Sequence, residues 1–171
     1  RALILFEIIE RIRARCRADF NVGVRLSPER FGLKLDEIRT VAQRLMKDGA
    51  IDYLDMSLWD VFKEPEEEDK RGRTLGSYFT DLDRNGVRLG AAGKVTSADA
   101  ARRCLTAGFD FVVIGRAAIL HHDFPRRVEQ DPAFAQTALP VSANYLRREG
   151  LGDPFVTYMR NWKNFVADEA A

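Results

Sequence analysis

The chain has 171 residues, 46% of them hydrophobic, enough for one core that hides about 70% of the unfolded surface. Lys and Arg total 27 against 26 Asp and Glu, and the resulting net charge of +1 gives no electrostatic case for nucleic acid as a partner. The apolar runs ALILF and FVVIG fall far short of the ~20 residues that cross a bilayer, and the cysteines Cys16 and Cys104, without a partner motif, predict reduced thiols in a cytoplasmic protein off the membrane.

The first element is a helix over Ala2–Cys16, ALILFEIIERIRARC, with Leu5, Ile8, Ile9 and Ile12 on the face that packs against a sheet. Its start at Arg1 without a capping residue predicts a piece of something longer, or else a processed or disordered leader. Phe20–Ser27, FNVGVRLS, alternates as a strand: Val22, Val24 and Leu26 share one face, Gly23, Arg25 and Ser27 the other. In an α/β barrel the branched face lies under the helices and Arg25 points inward near the C-terminal rim, where a guanidinium needs an anionic partner. The plainer reading is an edge strand with Arg25 in solvent.

Leu35–Lys47 repeats apolar residues at helical spacing, and Gly49 stands at the C-cap position. The second strand, Ile51–Trp59, sets Leu54, Met56 and Leu58 on one face and Tyr53, Asp55, Ser57 and Trp59 on the other. Asp55 therefore faces the same interior as Arg25, and a salt bridge between them is expected. Asp60–Arg73, DVFKEPEEEDKRGR, reads as a solvated loop that hangs over the strand ends as a lid. A short helix fits Thr74–Leu82.

Val87–Gly93 and Asp110–Gly115 are two further strands, each closing on a glycine and separated by a helix from about Ser97 to Ala107. A glycine at a strand end often serves only the turn. The pair, strand-Gly, helix, strand-Gly-Arg, is how the last two strands of a (β/α)8 barrel grip phosphate, with Arg116 adding a planar donor fork. Beyond Leu120 come His121 and His122, whose adjacency is poor geometry for one metal, so no metal site is assigned. A short helix near Phe124–Gln130 follows, and a tail, Val141–Phe165, carries Leu146, Phe155, Met159, Trp162 and Phe165 as an amphipathic cap or a contact with another subunit. Four βα units in a parallel sheet make half a barrel, predicted as a single domain over residues 1–171.

The segments GVRLSPERFG, DYLDMSLWD, VRLGAAGKVTSADAA and DFVVIGRAAILHHDFP together resemble the C-terminal half of the old yellow enzyme family, the FMN-dependent NAD(P)H:flavin oxidoreductases. The resemblance implies the last four strands of a (β/α)8 TIM barrel. It implies FMN as cofactor, with NAD(P)H and a small activated alkene or related molecule as partners. Arg25 matches the strand-end arginine beside the pyrimidine side of the flavin, in a catalytic and cofactor-binding role, where a cation favours the negative charge that builds on reduction. Gly93 and Lys94 match the first phosphate turn through backbone N–H groups, and Gly115 and Arg116 match the second. Ala92 and Ser57 line the cavity without doing chemistry. The family's substrate-holding His-His or His-Asn pair and its proton-donating tyrosine would lie before Arg1, so the chain alone is expected to be inactive, completed by a missing N-terminal half or by assembly as a homo-oligomer.

Two other classes fit the same outline. A phosphate-gripping isomerase or synthase barrel would use acid/base carboxylates at strand ends, for which Asp55 and Asp60 are the candidates. A non-catalytic half-barrel would pair with a copy of itself.

Overall fold

The computed structural model describes residues 2–167. The elements run α1 (Leu3–Arg15), β1 (Gly23–Leu26), α2 (Leu35–Asp48), β2 (Tyr53–Ser57), α3 (Ser77–Thr80), β3 (Arg88–Ala92), α4 (Ala98–Thr106), β4 (Phe111–Val113), α5 (Arg116–Leu120), α6 (Phe124–Gln130), α7 (Ala143–Arg148) and α8 (Asp153–Met159). All four strands are parallel and lie in the order β1-β2-β3-β4. Sequential order with a helix-bearing crossover between neighbours is half of a (β/α)8 barrel, as the alternating pattern predicts.

The chain divides into two compact units. One takes the chain through Val95 together with Arg102–Val113, and the other takes Thr96–Ala101 and the chain from Ile114 onward. The first unit holds the whole sheet. Val24, Leu54, Met56, Leu89 and Ala91 are buried on one sheet face, as are Ile9, Leu35, Ala42, Leu45, Met46 and Phe79 from the helices. Helix α2 ends where Gly49 enters the left-handed region at φ 63, the C-cap read from the sequence.

Helix α1 differs from expectation in its facing. Ile9 is buried, but Ile8 is half exposed, because consecutive helical residues are about 100° apart and cannot both centre one stripe. What ties α1 down is Arg13, whose guanidinium donates to Ala50 O and to the Asp52 carboxylate, each at 2.7 Å. Asp52 also accepts from Val22 N at 2.7 Å. That backbone bond and Arg13 together hold the Asp52 carboxyl below the usual carboxylate range.

The segment expected to be a solvated lid is pinned. Glu29, 3% exposed, forms an ion pair with Lys63 and accepts from Glu66 N at 2.9 Å. Arg30 pairs with Glu66 at 2.8 Å, Glu67 accepts from Leu35 N at 2.8 Å, and Lys70 reaches Asp36 at 2.6 Å. The segment thus both accepts from and donates to specific groups of the β1–α2 connection and the start of α2, partners over thirty positions away in sequence.

The second unit has its own core of Leu120, Val141, Leu146, Val156, Met159 and Phe165. Ser142 caps α7 by accepting from Tyr145 N at 3.1 Å. The tail residues expected to act together separate here: Leu146, Met159 and Phe165 are buried, whereas Phe155 and Trp162 are exposed. In α8 the residues that turn inward are Val156 and Met159, three apart, which leaves Phe155 and Tyr158 on the opposite side.

Candidate functional site

The sheet face turned away from the helices is built in rows fixed by the register. Gly23, Tyr53 and Arg88 form one row, Arg25, Asp55, Gly90 and Phe111 the next, and Ser57, Ala92 and Val113 the row at the C-terminal ends. Two glycines in these rows make room for aromatic rings: a Cβ at Gly23 would overlap the ring of Tyr53, and one at Gly90 the ring of Phe111. The two rings meet edge to face with centroids 5.8 Å apart. Below them the face opens into a concavity of about 880 Å³ whose lining includes Tyr53, Asp55, Arg88 and Asp110.

Arg25 and Asp55 pair as the strand alternation predicts. The Arg25 Nε lies 3.2 Å from Asp55 Oδ2 and donates to Ser57 Oγ at 2.5 Å. β1 stands first in the four-strand order, and its arginine is partnered on the face shared with Asp55. Asp55 is 7% exposed and its Oδ1 has no hydrogen-bond partner among the described residues. Burial pushes its carboxyl up, and the Arg25 charge offsets that only in part. Ser57, expected merely to line the cavity, is one of the two groups that hold Arg25.

At the end of β3, Ala92 O accepts from Leu58 N at 2.8 Å and Gly93 O from Val61 N at 3.3 Å. A Cβ at Gly93 would stand 2.8 Å from Asp60 N and 2.9 Å from the Trp59 carbonyl carbon, so this glycine admits the chain leaving β2. Lys94 adopts φ 49, and its ammonium is 3.1 Å from Asp60 Oδ2. Asp60 also accepts from Phe62 N at 3.0 Å. Both carboxylates that an isomerase reading would use as acid or base are therefore already engaged, Asp55 by Arg25 and Asp60 by Lys94. β3 and β4 end level, with Ala92 opposite Val113.

In the second unit, no atom of the described residues lies within 4 Å of where a Cβ on Gly115 would be. Arg116, the first residue of α5, is exposed. Gly93 and Gly115 thus differ: one is closed over by its own chain and the other faces open space.

The two histidines diverge, as adjacency implies. His121 is 2% exposed and accepts from Thr137 N through Nε2 at 2.9 Å, which leaves its proton on Nδ1, 3.3 Å from Tyr145 Oη. His122 points the other way, its Nδ1 2.8 Å from Glu149. His122, Asp123 and Glu149 bring ligand atoms within 4.8 Å of one another. Arg127 lies 2.6 Å from Asp123 and 3.9 Å from Glu149, so a cation already neutralises both carboxylates. Sequence reading missed Glu149 because it approaches from 27 residues away. It also missed Glu29, which carries no local signal beyond its place after Pro28.

Both cysteines are free, and burial pushes the Cys104 thiol up to about 11. Among the described residues no helix is long and apolar enough to cross a membrane.

No protein-family model matches the chain. In sequence it is 30% identical over 130 residues, 74% of this chain and 35% of the other, to the probable NADH-dependent flavin oxidoreductase YqiG of Bacillus subtilis (strain 168). In fold it is similar to a variant of NCR from Zymomonas mobilis, with a TM-score of 0.59 and 21% identity over 79% of this chain and 42% of that one. It is also similar to morphinone reductase in complex with tetrahydroNAD, with a TM-score of 0.55 and 24% identity over 84% of this chain and 37% of that one. The chain spans about a third of the length of the curated relative, 35%. Four parallel strands in sequential order define it as half of a (β/α)8 barrel. The likeness to a flavin oxidoreductase in sequence and to these barrels in fold agrees with the resemblance to the old yellow enzyme family carried by its sequence motifs.

Proposed function

We propose that this chain is the cofactor-holding half of an FMN-dependent oxidoreductase that takes hydride from NAD(P)H and delivers it to an activated alkene or a related small molecule. The observation that carries the reading is Arg25. Its Nε edge is committed to Ser57 and Asp55, its side chain is 63% exposed, and among the described residues no acceptor is found for its two Nη groups. Such a fork suits the oxygen- and nitrogen-rich edge of a flavin ring. When bound, the flavin supplies the two-electron chemistry; this chain supplies binding, orientation and charge.

The residues present fit that group. Arg25 acts as the catalytic cation at the ring, and Ala92 lines the cavity beside it. Gly93 and Lys94 hold the phosphate by backbone N–H groups, the Lys94 side chain being occupied by Asp60. Gly115 leaves room for a ligand where a side chain would stand, and Arg116 adds its donor fork. The relative's name, a probable NADH-dependent flavin oxidoreductase, supports the cofactor and the nicotinamide donor. The engagement of Asp55 and Asp60 weighs against a phosphate-binding isomerase.

The test is to purify the full-length protein, release any bound cofactor by denaturation and identify it by chromatography. FMN, with visible absorbance that bleaches anaerobically on adding NADH or NADPH, is the expected result. A colourless protein that takes up no FMN on titration refutes the reading.

A further inference from the structure

Arg25 carries a long, largely exposed side chain, which has many rotamers open to it. Two neighbours remove that freedom, and both act on the same edge of the guanidinium: Nε donates to Ser57 Oγ and lies beside Asp55 Oδ2. Asp55 is directly opposite Arg25 in the β1–β2 register, so the pairing is built into the sheet rather than reached by a flexible loop. The carboxylate is nine-tenths buried, among the described residues one of its oxygens has no hydrogen-bond partner, and it is paired with the Arg25 cation. A buried carboxylate in that condition is costly to keep. Within the row of Arg25, Gly90 and Phe111, it adds nothing to packing that a neutral residue of the same shape would not.

We infer that Asp55 is a positioning residue: with Ser57 it clamps the Nε edge of Arg25, so that the Nη edge is held facing outward for an acceptor-rich ligand edge. The inference rests on the flavin reading of Arg25 for the identity of that ligand, but not for the clamp itself. The division of labour needs a planar fork with donors on two edges, which an ammonium cannot provide. It also needs a negative charge beside the inner edge: Nε–H is given to Ser57, and Asp55 holds the guanidinium by charge attraction that a neutral amide would lack.

The test is a double-mutant cycle in the full-length protein, read as FMN affinity by fluorescence titration. With Arg25 present, Asp55→Asn is expected to weaken FMN binding by about fivefold or more, and in the Arg25→Leu background by less than about twofold. Equal losses in both backgrounds, or no loss in either, overturn the positioning role. A second readout needs no flavin. The Arg25 Nε–H resonance of the unliganded protein is expected to exchange slowly with solvent in the parent sequence and to be lost to exchange in Asp55→Asn. A resonance that persists unchanged in the variant overturns the role, since Ser57 alone would then suffice. If the protein takes up no FMN, the functional reading fails, and the resonance still decides whether Asp55 holds Arg25.

Discussion

Gly93→Ala and Gly115→Ala separate two uses of glycine at strand ends. At Gly93 the added methyl would meet Asp60 N at 2.8 Å and the Trp59 carbonyl carbon at 2.9 Å, both backbone atoms that cannot rotate away. The chain there is tied to β3 by Leu58 N on Ala92 O, by Val61 N on Gly93 O and by Lys94 on Asp60. Forcing it outward costs about 1–3 kcal/mol of overpacking, and losing the longer of the two backbone bonds adds about 1 kcal/mol. The expected loss for Gly93→Ala is therefore about 2–4 kcal/mol. At Gly115 nothing stands where the methyl would go, and the expected change in stability is within about 0.5 kcal/mol. Urea unfolding of the full-length protein, followed by circular dichroism, measures both. Gly93→Ala should lower the midpoint at constant slope, while Gly115→Ala should unfold like the parent yet bind FMN more weakly. A Gly93→Ala protein as stable as the parent refutes the steric argument, and undiminished FMN affinity in Gly115→Ala refutes the ligand role of that glycine.

Arg116→Ala is expected to weaken FMN binding by about 1.5–3 kcal/mol, the scale of a charged hydrogen bond, with unchanged affinity in a titration counting against its phosphate role. Arg25→Leu should still hold the cofactor, though more weakly, and slow its reduction by NAD(P)H, and an unaltered rate in stopped-flow measurements would remove the charge-stabilising role. His121 supplies a pH dependence. Burial first, and then the Arg127 charge, hold its pKa below the ordinary 6.5. The unfolded chain therefore binds the proton more readily, so this contribution to stability is complete above about pH 6.5 and is lost as pH falls through the folded value. Melting temperatures should decline on acidification from pH 7, and a flat profile down to pH 5 would show that His121 is not held neutral.

The strand and helix order was readable because period-2 and helical patterns alternate cleanly from Ala2 to Leu120, and Gly49 marks a helix end by the one conformation it adopts readily. The Arg25–Asp55 pair was readable for the same reason. Strand alternation assigns a face, and parallel pairing of neighbours brings two like-facing residues together. What alternation cannot supply is which backbone passes close to which glycine. A Cβ on Gly93 would meet the backbone of Trp59 and Asp60, whereas among the described residues nothing stands where a Cβ on Gly115 would be. The Asp60–Arg73 segment is largely exposed, as its composition implies, but it is also tied down in a way composition does not show. Local composition marks it as polar, but its polarity is matched to Glu29, Arg30 and Asp36 across the fold.

The sign of the Asp55 shift adds a thermodynamic argument to the geometric one. Its carboxyl is raised above its ordinary 3.8, chiefly by burial, so the folded chain binds that proton more tightly than the unfolded chain does. Stability contributed by the protonated form is present at low pH and is lost as pH rises through the folded value. At neutral pH the sheet therefore carries an ionised group whose burial works against folding, although Arg25 reduces the cost. Asp52, just before β2, shows the opposite case: backbone and side-chain donors lower its pKa, and it fastens α1 to the residue that precedes β1. Two aspartates three residues apart are thus put to different ends. Asp52 holds the fold together, and Asp55 holds a guanidinium in place at a stability cost that a purely structural residue would have no reason to incur.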